Sequence, residues 1–326
     1  MTPPLIALEE HWYSKAVFDS FDNAMKTGII QWPGAIERLM DAGDLRLNEM
    51  DKGKVSLQVI SHCAADDLTP EVCTAGNNQL CAEIRKSDKT IQRFAGFAVL
   101  PMAHPDAAAE ELERSVKELG FVGALVDNKT RKGFCEGQEY DVLWGKAQEL
   151  DVPIYLHPSW PSEEMFRQLY AGNYSTRAMS VIGGAGWGWH SEVGHHVLRL
   201  HAAGIFDRFS KLKLIIGHFG EMMPYMLQRI CNQEYIMGRR ERPFQQVWDE
   251  NIWITTSAVW SLDPMRCILN NTKIERIMYS IDYPFTTNED GLRWFEELEK
   301  SGLVSPDQLD MIAYKNAETL LGIKVP

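Results

Sequence analysis

The sequence predicts a single domain over residues 1–326, folded as a distorted (β/α)8 TIM barrel with loop insertions after its first and fifth strands. Three observations predict this fold. A chain of 326 residues fits one such barrel, which takes about 250 residues or more. Eight short apolar runs alternate with segments of helical periodicity. No shift in composition marks a linker, and no Gly-rich GxGxxG turn favours the alternative, a doubly wound open sheet.

The elements follow one another in strand–helix order. The predicted strands are residues 5–11, 55–61, 94–101, 121–126, 152–158, 212–218, 251–257 and 277–282. The predicted helices are residues 36–50, 70–86, 105–119, 140–150, 191–203, 224–237, 263–269, 289–300 and 305–321. The insertions are the aromatic-bearing segment 12–54, with Trp32 near its middle, and the Gly-, Ser- and Trp-rich segment 159–190. Segments of this kind after barrel strands are typical of binding loops.

Composition restricts the class of protein. Hydrophobic residues make up 45% and charged residues 24% of the chain, as in ordinary globular proteins. The net charge of −12 argues against nucleic acid or an anionic membrane as a partner. The six cysteines are scattered without a CxxC pair, which indicates reduced thiols. No apolar run approaches the ~20 residues of a membrane span, and the first strand leaves no room for a signal peptide. We therefore expect a cytoplasmic protein.

The end of the first strand is the first candidate site. Its apolar run ends in Glu9, Glu10 and His11. Because side chains alternate along a strand, Glu9 and His11 should share one face and Glu10 should lie on the other as a structural residue. Glu9 and His11 together predict half of a metal site. These residues alone also fit a helix that begins with an acidic turn.

Further strand ends carry residues of the same chemical types. They are His62 after the second strand, His157 at the fifth, His218 at the sixth and Asp282 at the eighth. In such barrels the carboxyl ends of the strands meet at one rim, where catalytic groups lie. Two imidazoles and two carboxylates suit Zn²⁺ or Mn²⁺ better than Ca²⁺ or Mg²⁺. A four-ligand set with space left over indicates a catalytic site.

Five motifs give the chain a resemblance to a known family. They are ALEEH at 7–11, FVGALV at 121–126, YLHP at 155–158, GHFGE at 217–221 and SIDYP at 280–284. The sequence resembles the decarboxylase branch of the amidohydrolase superfamily, and most of all the non-oxidative ortho-hydroxybenzoate decarboxylases typified by γ-resorcylate (2,6-dihydroxybenzoate) decarboxylase. The glutamate of Glu9-x-His11 favours this branch, since the superfamily commonly has His-x-His there.

The resemblance implies roles for individual residues. The implied metal ligands are Glu9, His11, His157 and Asp282, and the implied catalytic residues are Asp282, His218 and Glu221. The implied substrate-binding residues are Trp189, as an aromatic wall, and Arg229, which fits a helix surface or subunit contact equally well. His190 departs from the family pattern and is placed to enter the pocket, whereas His195 should be structural and His196 a buried partner. The loop 127–139 is more basic than in relatives, which leaves substrate identity open.

The resemblance also implies an activity. The expected reaction is reversible, non-oxidative loss of CO2 from a phenolic carboxylic acid such as 2,6- or 2,3-dihydroxybenzoate, salicylate or a methylsalicylate. One Zn or Mn ion would hold a carboxylate oxygen and the ortho hydroxyl, and Asp282 would protonate the ring carbon. A homodimer or homotetramer is expected, and the physiological direction is open.

Three alternatives remain at this point. One is a metal-dependent hydrolase of a lactone or amide, weakened because strand four ends in Val126-Asp127-Asn128 where such hydrolases often carry a lysine. Another is a decarboxylase of a non-aromatic acid of the aminocarboxymuconate semialdehyde type. The third is a binding protein without metal.

Overall fold

The structure is a computed structural model that describes residues 2–21, 33–63, 68–87, 91–238 and 240–326. Trp32, in the insertion after the first strand, lies outside the described residues. Among the helices that the structure describes, none is both long and apolar enough to cross a membrane.

Eight parallel strands form the centre of the molecule. They are β1 Leu5–Trp12, β2 Val55–His62, β3 Phe94–Gly96, β4 Ala124–Asp127, β5 Ile154–His157, β6 Leu214–Ile216, β7 Ile252–Thr255 and β8 Ile277–Met278. Neighbouring strands pair within β1–β3 and within β4–β8. The bridge between Ala98 and Ala124 joins these two sheets on one side, and the bridge between Glu10 and Tyr283 joins them on the other. The sheet is therefore closed, which confirms the predicted barrel.

Two apolar layers hold the barrel. The interior is filled by inward side chains from many strands, including Ile6, Val59, Leu125 and Ile215. A larger cluster between the strands and the surrounding helices includes Trp144 and Trp294, both buried. Burial of this apolar surface, at about 25 cal/mol per Å², is the main driving force for the fold. The two layers fix the rim from which the functional side chains project.

The helices surround the strands. The α-helices are Lys15–Ser20, Ala35–Leu39, Asp44–Lys52, Pro70–Ser87, Pro105–Arg114, Asp141–Glu149, Glu163–Met165, Thr176–Gly183, Gly188–Ala202, Ile205–Arg208, Met223–Met237, Phe244–Asn251, Leu262–Ile268, Asn288–Ser301, Pro306–Asp310 and Asn316–Leu321. Wider π-type turns are Ser115–Leu119, Phe166–Tyr170 and Met311–Lys315, and 3₁₀ turns are Gln138–Tyr140 and Ile274–Arg276.

The structure corrects several predicted elements. The helix predicted at 36–50 is two helices, because the Asp41 carboxylate accepts the backbone N–H groups of Gly43 and Arg46 and starts a new helix there. The segment 159–190 contains three helical pieces, Glu163–Met165, Phe166–Tyr170 and Thr176–Gly183, and the helix predicted at 191–203 already begins at 188. Helix Phe244–Asn251 was not predicted. The third and eighth strands are shorter than predicted.

Candidate metal centre

A bulge in β1 directs two functional side chains into the barrel. Ala7 pairs with Gln58 and Glu10 with Ile60, so β1 has one more residue than β2 over this stretch. The backbone N–H groups of Leu8 and Glu9 both donate to Ser280 Oγ, at 3.3 and 2.8 Å. An extra residue reverses the side-chain alternation beyond it. Before the bulge the even-numbered side chains face inward, and after it Glu9 and His11 do.

Glu9, His11, His157 and Asp282 meet at the rim. His11 Nε2 lies 3.0 Å from Asp282 Oδ1, and His157 Nε2 lies 3.4 Å from Glu9 Oε1. The rings of His11 and His157 are 4.8 Å apart in a T-shaped arrangement. One ligand atom each from Glu9, His11 and Asp282 lies within 4.8 Å of the others. The structure therefore brings together the four side chains that the sequence grouped.

The donor atoms of this cluster fit a divalent metal ion. Glu9 Oε1 and both ring nitrogens of His11 are buried without a well-formed hydrogen bond. Buried polar atoms are nearly always paired, so unpaired donors that converge indicate a ligand. Imidazole nitrogens and carboxylate oxygens are borderline-to-hard ligands suited to Mn²⁺ or Zn²⁺. The residues thus fit the metal that the sequence predicted.

The segment after β6 presents a histidine and a glutamate to the cluster. Residues 218–222 all have positive φ angles, between 47° and 86°, a conformation that non-glycine residues rarely adopt and that concentrates at functional sites. The turn brings His218 Nδ1 within 2.8 Å of Glu221 Oε1. His218 Nε2 faces the cluster, 3.7 Å from Asp282 Oδ2 and 4.0 Å from Glu9 Oε1. This contact places the Glu221 carboxylate at the ring nitrogen of His218 that lies away from the cluster.

A second histidine shares Glu221. His190, in helix Gly188–Ala202, has its Nδ1 atom 2.7 Å from Glu221 Oε2, and its ring centroid lies 4.4 Å from that of His218. Trp189 donates its indole N–H to His190 Nε2 at 3.0 Å and packs edge-on against Trp160 at 4.8 Å. Glu221 therefore lies between the imidazoles of His190 and His218, and the His218 ring faces the four-residue cluster.

Burial and charge set the protonation of the cluster. Burial, with the neighbouring His11, lowers the pKa of His157 to about 3, so the His157 ring is neutral at pH 7. Burial alone would lower the pKa of His218, but the carboxylates of Glu9 and Glu221 outweigh it and raise that pKa well above its usual value. Burial alone would raise the pKa of Asp282, but hydrogen bonds and charge from His11 and His218 hold it below its usual value. In this state His218 carries the proton and Asp282 is ionised.

Four other residues that the sequence analysis named lie outside the four-residue cluster. His62 Nε2 is directed at Ser14, 3.3 Å from its backbone N and 3.0 Å from its hydroxyl, so His62 does not join the four-residue cluster. Arg229 is exposed on helix Met223–Met237. His195 is exposed, and His196 is buried, where its Nε2 accepts the backbone N–H of Cys135 at 3.2 Å.

Three features of the site were missed in the sequence. Tyr155 donates to Glu9 Oε2 at 2.5 Å, and alternation along β5 places it on the same face as His157, a signal that was available. Cys63 offers its sulfur beside His11 and His157, where it follows a strand directly. Gly217 leaves room for Glu9, because a Cβ atom there would lie 2.8 Å from Glu9 Oε2.

A cavity adjoins the cluster on the side of Cys63. It is lined by His62, Cys63, Leu68, Val99, Leu100, Met102, Leu125, Val126, Asp127 and Lys129. Lys129 pairs with Glu192 of helix Gly188–Ala202. This partly buried ion pair links the basic loop after β4 to the helix that carries Trp189 and His190.

Comparison with known proteins agrees with this architecture. The sequence profile of the Amidohydrolase family matches residues 25–323. The decarboxylase orsB of Emericella nidulans is 56% identical over 99% of this chain and 98% of its own length. The γ-resorcylate decarboxylase of a Polaromonas species is 33% identical over 97% of both chains.

Solved structures lead to the same group. A dihydroxybenzoic acid decarboxylase from Polaromonas, with bound manganese and the inhibitor 2-nitroresorcinol, superposes with a TM-score of 0.85 at 32% identity, covering 98% of this chain and 97% of that one. A 2,6-dihydroxybenzoate decarboxylase complexed with 2,6-dihydroxybenzoate superposes with a TM-score of 0.83 at 30% identity, covering 98% and 99%. The chain belongs to the amidohydrolase family, among its metal-dependent ortho-hydroxybenzoate decarboxylases.

Proposed function

We propose that this protein catalyses the reversible, non-oxidative decarboxylation of an ortho-hydroxybenzoic acid to a phenol and CO2. The observation that carries the proposal is the convergence of four metal-ligand side chains, with unpaired donor atoms, beside the His218–Glu221 pair. The relatives at 56% and 33% identity are decarboxylases, which supports the reaction class.

Glu9, His11, His157 and Asp282 would hold one divalent ion, Mn²⁺ or Zn²⁺. When bound, the ion would supply Lewis-acid stabilisation of negative charge on the substrate oxygens. Tyr155 fixes one carboxylate oxygen of Glu9, so the other oxygen, Oε1, would be available to hold the ion. The manganese in the Polaromonas structure supports Mn²⁺, and the two-carboxylate, two-imidazole donor set is also compatible with Zn²⁺.

Asp282 is proposed as the acid that protonates the ring carbon bearing the carboxylate. Its positive φ of 75° and its position between His11 and His218 direct its carboxyl group into the site. An Asp282 carboxylate needs a proton before it can act as an acid, and His218, whose pKa is raised, is the adjacent source. The ortho hydroxyl of the substrate supplies electron density to the same carbon, and loss of CO2 restores the aromatic ring.

Trp189 is proposed to form one wall of the substrate pocket, since it lies next to His190 and packs against Trp160. Lys129 and Asp127 line the adjoining cavity and would contact ring substituents. Both side chains are charged, whereas most of the cavity lining is apolar. We therefore expect Lys129 and Asp127 to determine which acid is the substrate: 2,6-dihydroxybenzoate, 2,3-dihydroxybenzoate, salicylate or a methylsalicylate.

The test is a decarboxylation screen with metal control. The protein is stripped with a chelator, reloaded with Mn²⁺ or Zn²⁺, and incubated with each hydroxybenzoate, and the phenol is measured by chromatography. We expect phenol from at least one acid with reloaded protein and none with stripped protein. Absence of phenol from every acid with either metal would overturn the proposal.

We also propose a homodimer or homotetramer. Helix Met223–Met237 exposes large apolar side chains, with Tyr225 84%, Tyr235 73% and Ile236 65% exposed, and such patches mark protein interfaces. Arg229 lies on this helix, so a substrate role for Arg229 would require the assembled oligomer. Light scattering of the purified protein tests this, and a monomer would contradict it.

The remaining proposals concern location and organisation. We propose a cytoplasmic protein in which residues 1–326 act as one domain. None of the six cysteines forms a disulfide bond in the part of the chain that the structure describes, which suits a reducing compartment. Cell fractionation with an antibody against the protein tests the location.

A further inference from the structure

This inference rests on the metal centre of the proposed function, and it begins at the cysteine that follows β2. The sulfur of Cys63 lies beside the rings of His11 and His157, where one ligand atom of each side chain is within 4.8 Å of the other two. An ion among three atoms at such separations needs side-chain shifts of less than about 1 Å to reach bond lengths of about 2.0–2.3 Å. In the part of the chain that the structure describes, none of the other five cysteines joins such a group.

The two histidines beside this sulfur have ring nitrogens without partners. His11 Nε2 faces Asp282 at 3.0 Å, and His157 Nε2 faces Glu9 at 3.4 Å. The opposite nitrogen of each ring, Nδ1, is buried without a well-formed hydrogen bond. Buried polar groups are nearly always paired. Two unpaired nitrogens on rings that adjoin a sulfur therefore indicate a ligand independently of the cysteine.

The surroundings of Cys63 hold its sulfur in place and leave room beside it. The hydroxyl of the buried Tyr13 forms a hydrogen bond with the Cys63 side chain. Cys63 is itself half-buried and lines the cavity that adjoins the cluster. The cavity has a volume of about 20 Å³, and one water molecule needs roughly 10–15 Å³. An ion held by the cysteine and the two histidines could therefore keep a water as its fourth ligand.

The two sides of the metal centre offer different ligand chemistry. Glu9 and Asp282 supply carboxylate oxygens, which suit Mn²⁺, whereas Cys63 supplies sulfur, which suits Zn²⁺ and other thiophilic cations. One sulfur and two imidazoles are a ligand set that Zn²⁺ takes in proteins. Glu9, His11 and Asp282 form one group of converging ligand atoms, and His11, Cys63 and His157 form another. Because His11 belongs to both groups, an ion on one side competes with an ion on the other.

We propose that Cys63, His11 and His157 form a second cation position, for a thiophilic divalent ion such as Zn²⁺ or Cd²⁺. Binding forms a metal–sulfur bond and releases the thiol proton to water, and no electrons move. A cation on the sulfur side takes two histidines that the ion on the carboxylate side would use. Excess thiophilic cation therefore displaces Mn²⁺ from the centre, and Cys63 makes this chain sensitive to that displacement.

The test is a titration of the manganese-loaded protein with Cd²⁺. Native protein should develop a sulfur-to-cadmium charge-transfer band in ultraviolet difference spectra and release Mn²⁺, which electron paramagnetic resonance detects as the free ion. Cys63→Ser should bind Mn²⁺ normally, lack the band and need at least about 10-fold more Cd²⁺ for release, since losing even an outer partner of a ligand typically costs about 10- to 100-fold. The matched control is Cys267→Ser, at another half-buried cysteine, which should behave as the native protein.

Three outcomes would overturn the second cation position. Absence of the charge-transfer band in the native protein would exclude sulfur as a ligand, whatever the variants do. A band that persists in Cys63→Ser would assign the sulfur to another cysteine. A band without release of Mn²⁺ would show that the two positions do not share histidines. These readouts measure binding and need no turnover, so they are distinct from failure of the proposed reaction, in which the native protein forms no phenol.

Discussion

Glu9 and Glu10 are adjacent carboxylates on β1, both fully buried, and their surroundings are opposite. Glu10 faces out of the barrel, where its two oxygens accept from the backbone N–H groups of Ile281 and Tyr283, the hydroxyl of Ser280 and the amide of Gln58. Glu9 faces into the barrel, where Tyr155 satisfies Oε2 and Oε1 has no hydrogen-bond donor.

The difference separates a structural carboxylate from a binding one. Burial raises the pKa of Glu10 to about 8, although the donors around it and the nearby Arg46 favour the ionised form. Burial also raises the pKa of Glu9, but the groups that most oppose burial there are His218 and His11. Glu10 joins β1 to the segment after β8, whereas Glu9 keeps an oxygen available. Burial alone therefore does not identify a functional acid; an unpaired buried oxygen does.

The largest effect on activity is expected at Asp282, which lies in the same cluster as Glu9. Asp282→Asn should reduce kcat at least about 10³-fold, because an amide cannot deliver the proton to the ring carbon. The protein should retain some metal, since Glu9, His11 and His157 remain. Phenol formation and elemental analysis measure the two effects. Asp263→Asn, at an exposed carboxylate, is the control, and native activity in Asp282→Asn would exclude this acid.

Glu9→Gln should lower activity by about 10³-fold through loss of metal. The substitution keeps the shape but removes the charge from the cluster, and several kcal/mol of metal stabilisation correspond to this factor. Thermal stability should stay close to native, because the Tyr155 hydroxyl can still donate to the amide oxygen of glutamine. Metal content after dialysis and kcat measure the outcome, and native metal content would contradict the assignment of Glu9 as a ligand.

Glu10→Gln is the matched variant on the other face and should show the reverse pattern. Its NH2 group would face donors, leaving buried N–H groups without an acceptor, at about 1–3 kcal/mol. Denaturant unfolding should show this loss, while the metal content of the folded protein stays native. If Glu10→Gln lost metal without losing stability, the distinction between the two carboxylates would be wrong.

Strand geometry explains which features of Glu9 and Glu10 could be predicted from the sequence. Alternation on a strand separates Glu9 from Glu10, and parallel strands bring their carboxyl ends to one rim, so Glu9, His157 and Asp282 were found together. The β1 bulge has no local signal, because it depends on Ser280, more than 270 residues away, accepting two backbone N–H groups. The same limit applies to His62, whose strand-end position is that of a ligand but whose ring meets Ser14.

Sequence patterns also failed in the insertions. Short helices such as Thr176–Gly183 contain Gly and Ser and lack a long apolar repeat, so the sequence pattern there predicts a loop. The link from His190 to Glu221 could not be predicted from spacing, since the two residues lie on different elements that meet only in the folded barrel.

The smallest effect that we expect is on the pH dependence of stability, and it follows from comparing two buried imidazoles, His157 and His196. Burial lowers the pKa of both His157 and His196 to about 3, but His196 is structural, because its Nε2 accepts the backbone N–H of Cys135. Its folded-state pKa is depressed from 6.5, so its contribution to stability is complete above pH 6.5. As the pH falls below that value, the unfolded chain binds a proton that the folded chain cannot.

His196→Gln removes the contribution of His196 to the pH dependence of stability, since glutamine does not titrate. The free energy of unfolding should then fall less steeply between pH 6.5 and about 4, by up to about 1.4 kcal/mol per pH unit. Urea unfolding at several pH values measures the slope, and the native protein under the same conditions is the reference. An unchanged slope in His196→Gln would mean that His196 accepts a proton within the folded protein, and that this imidazole is not the structural counterpart of Glu10.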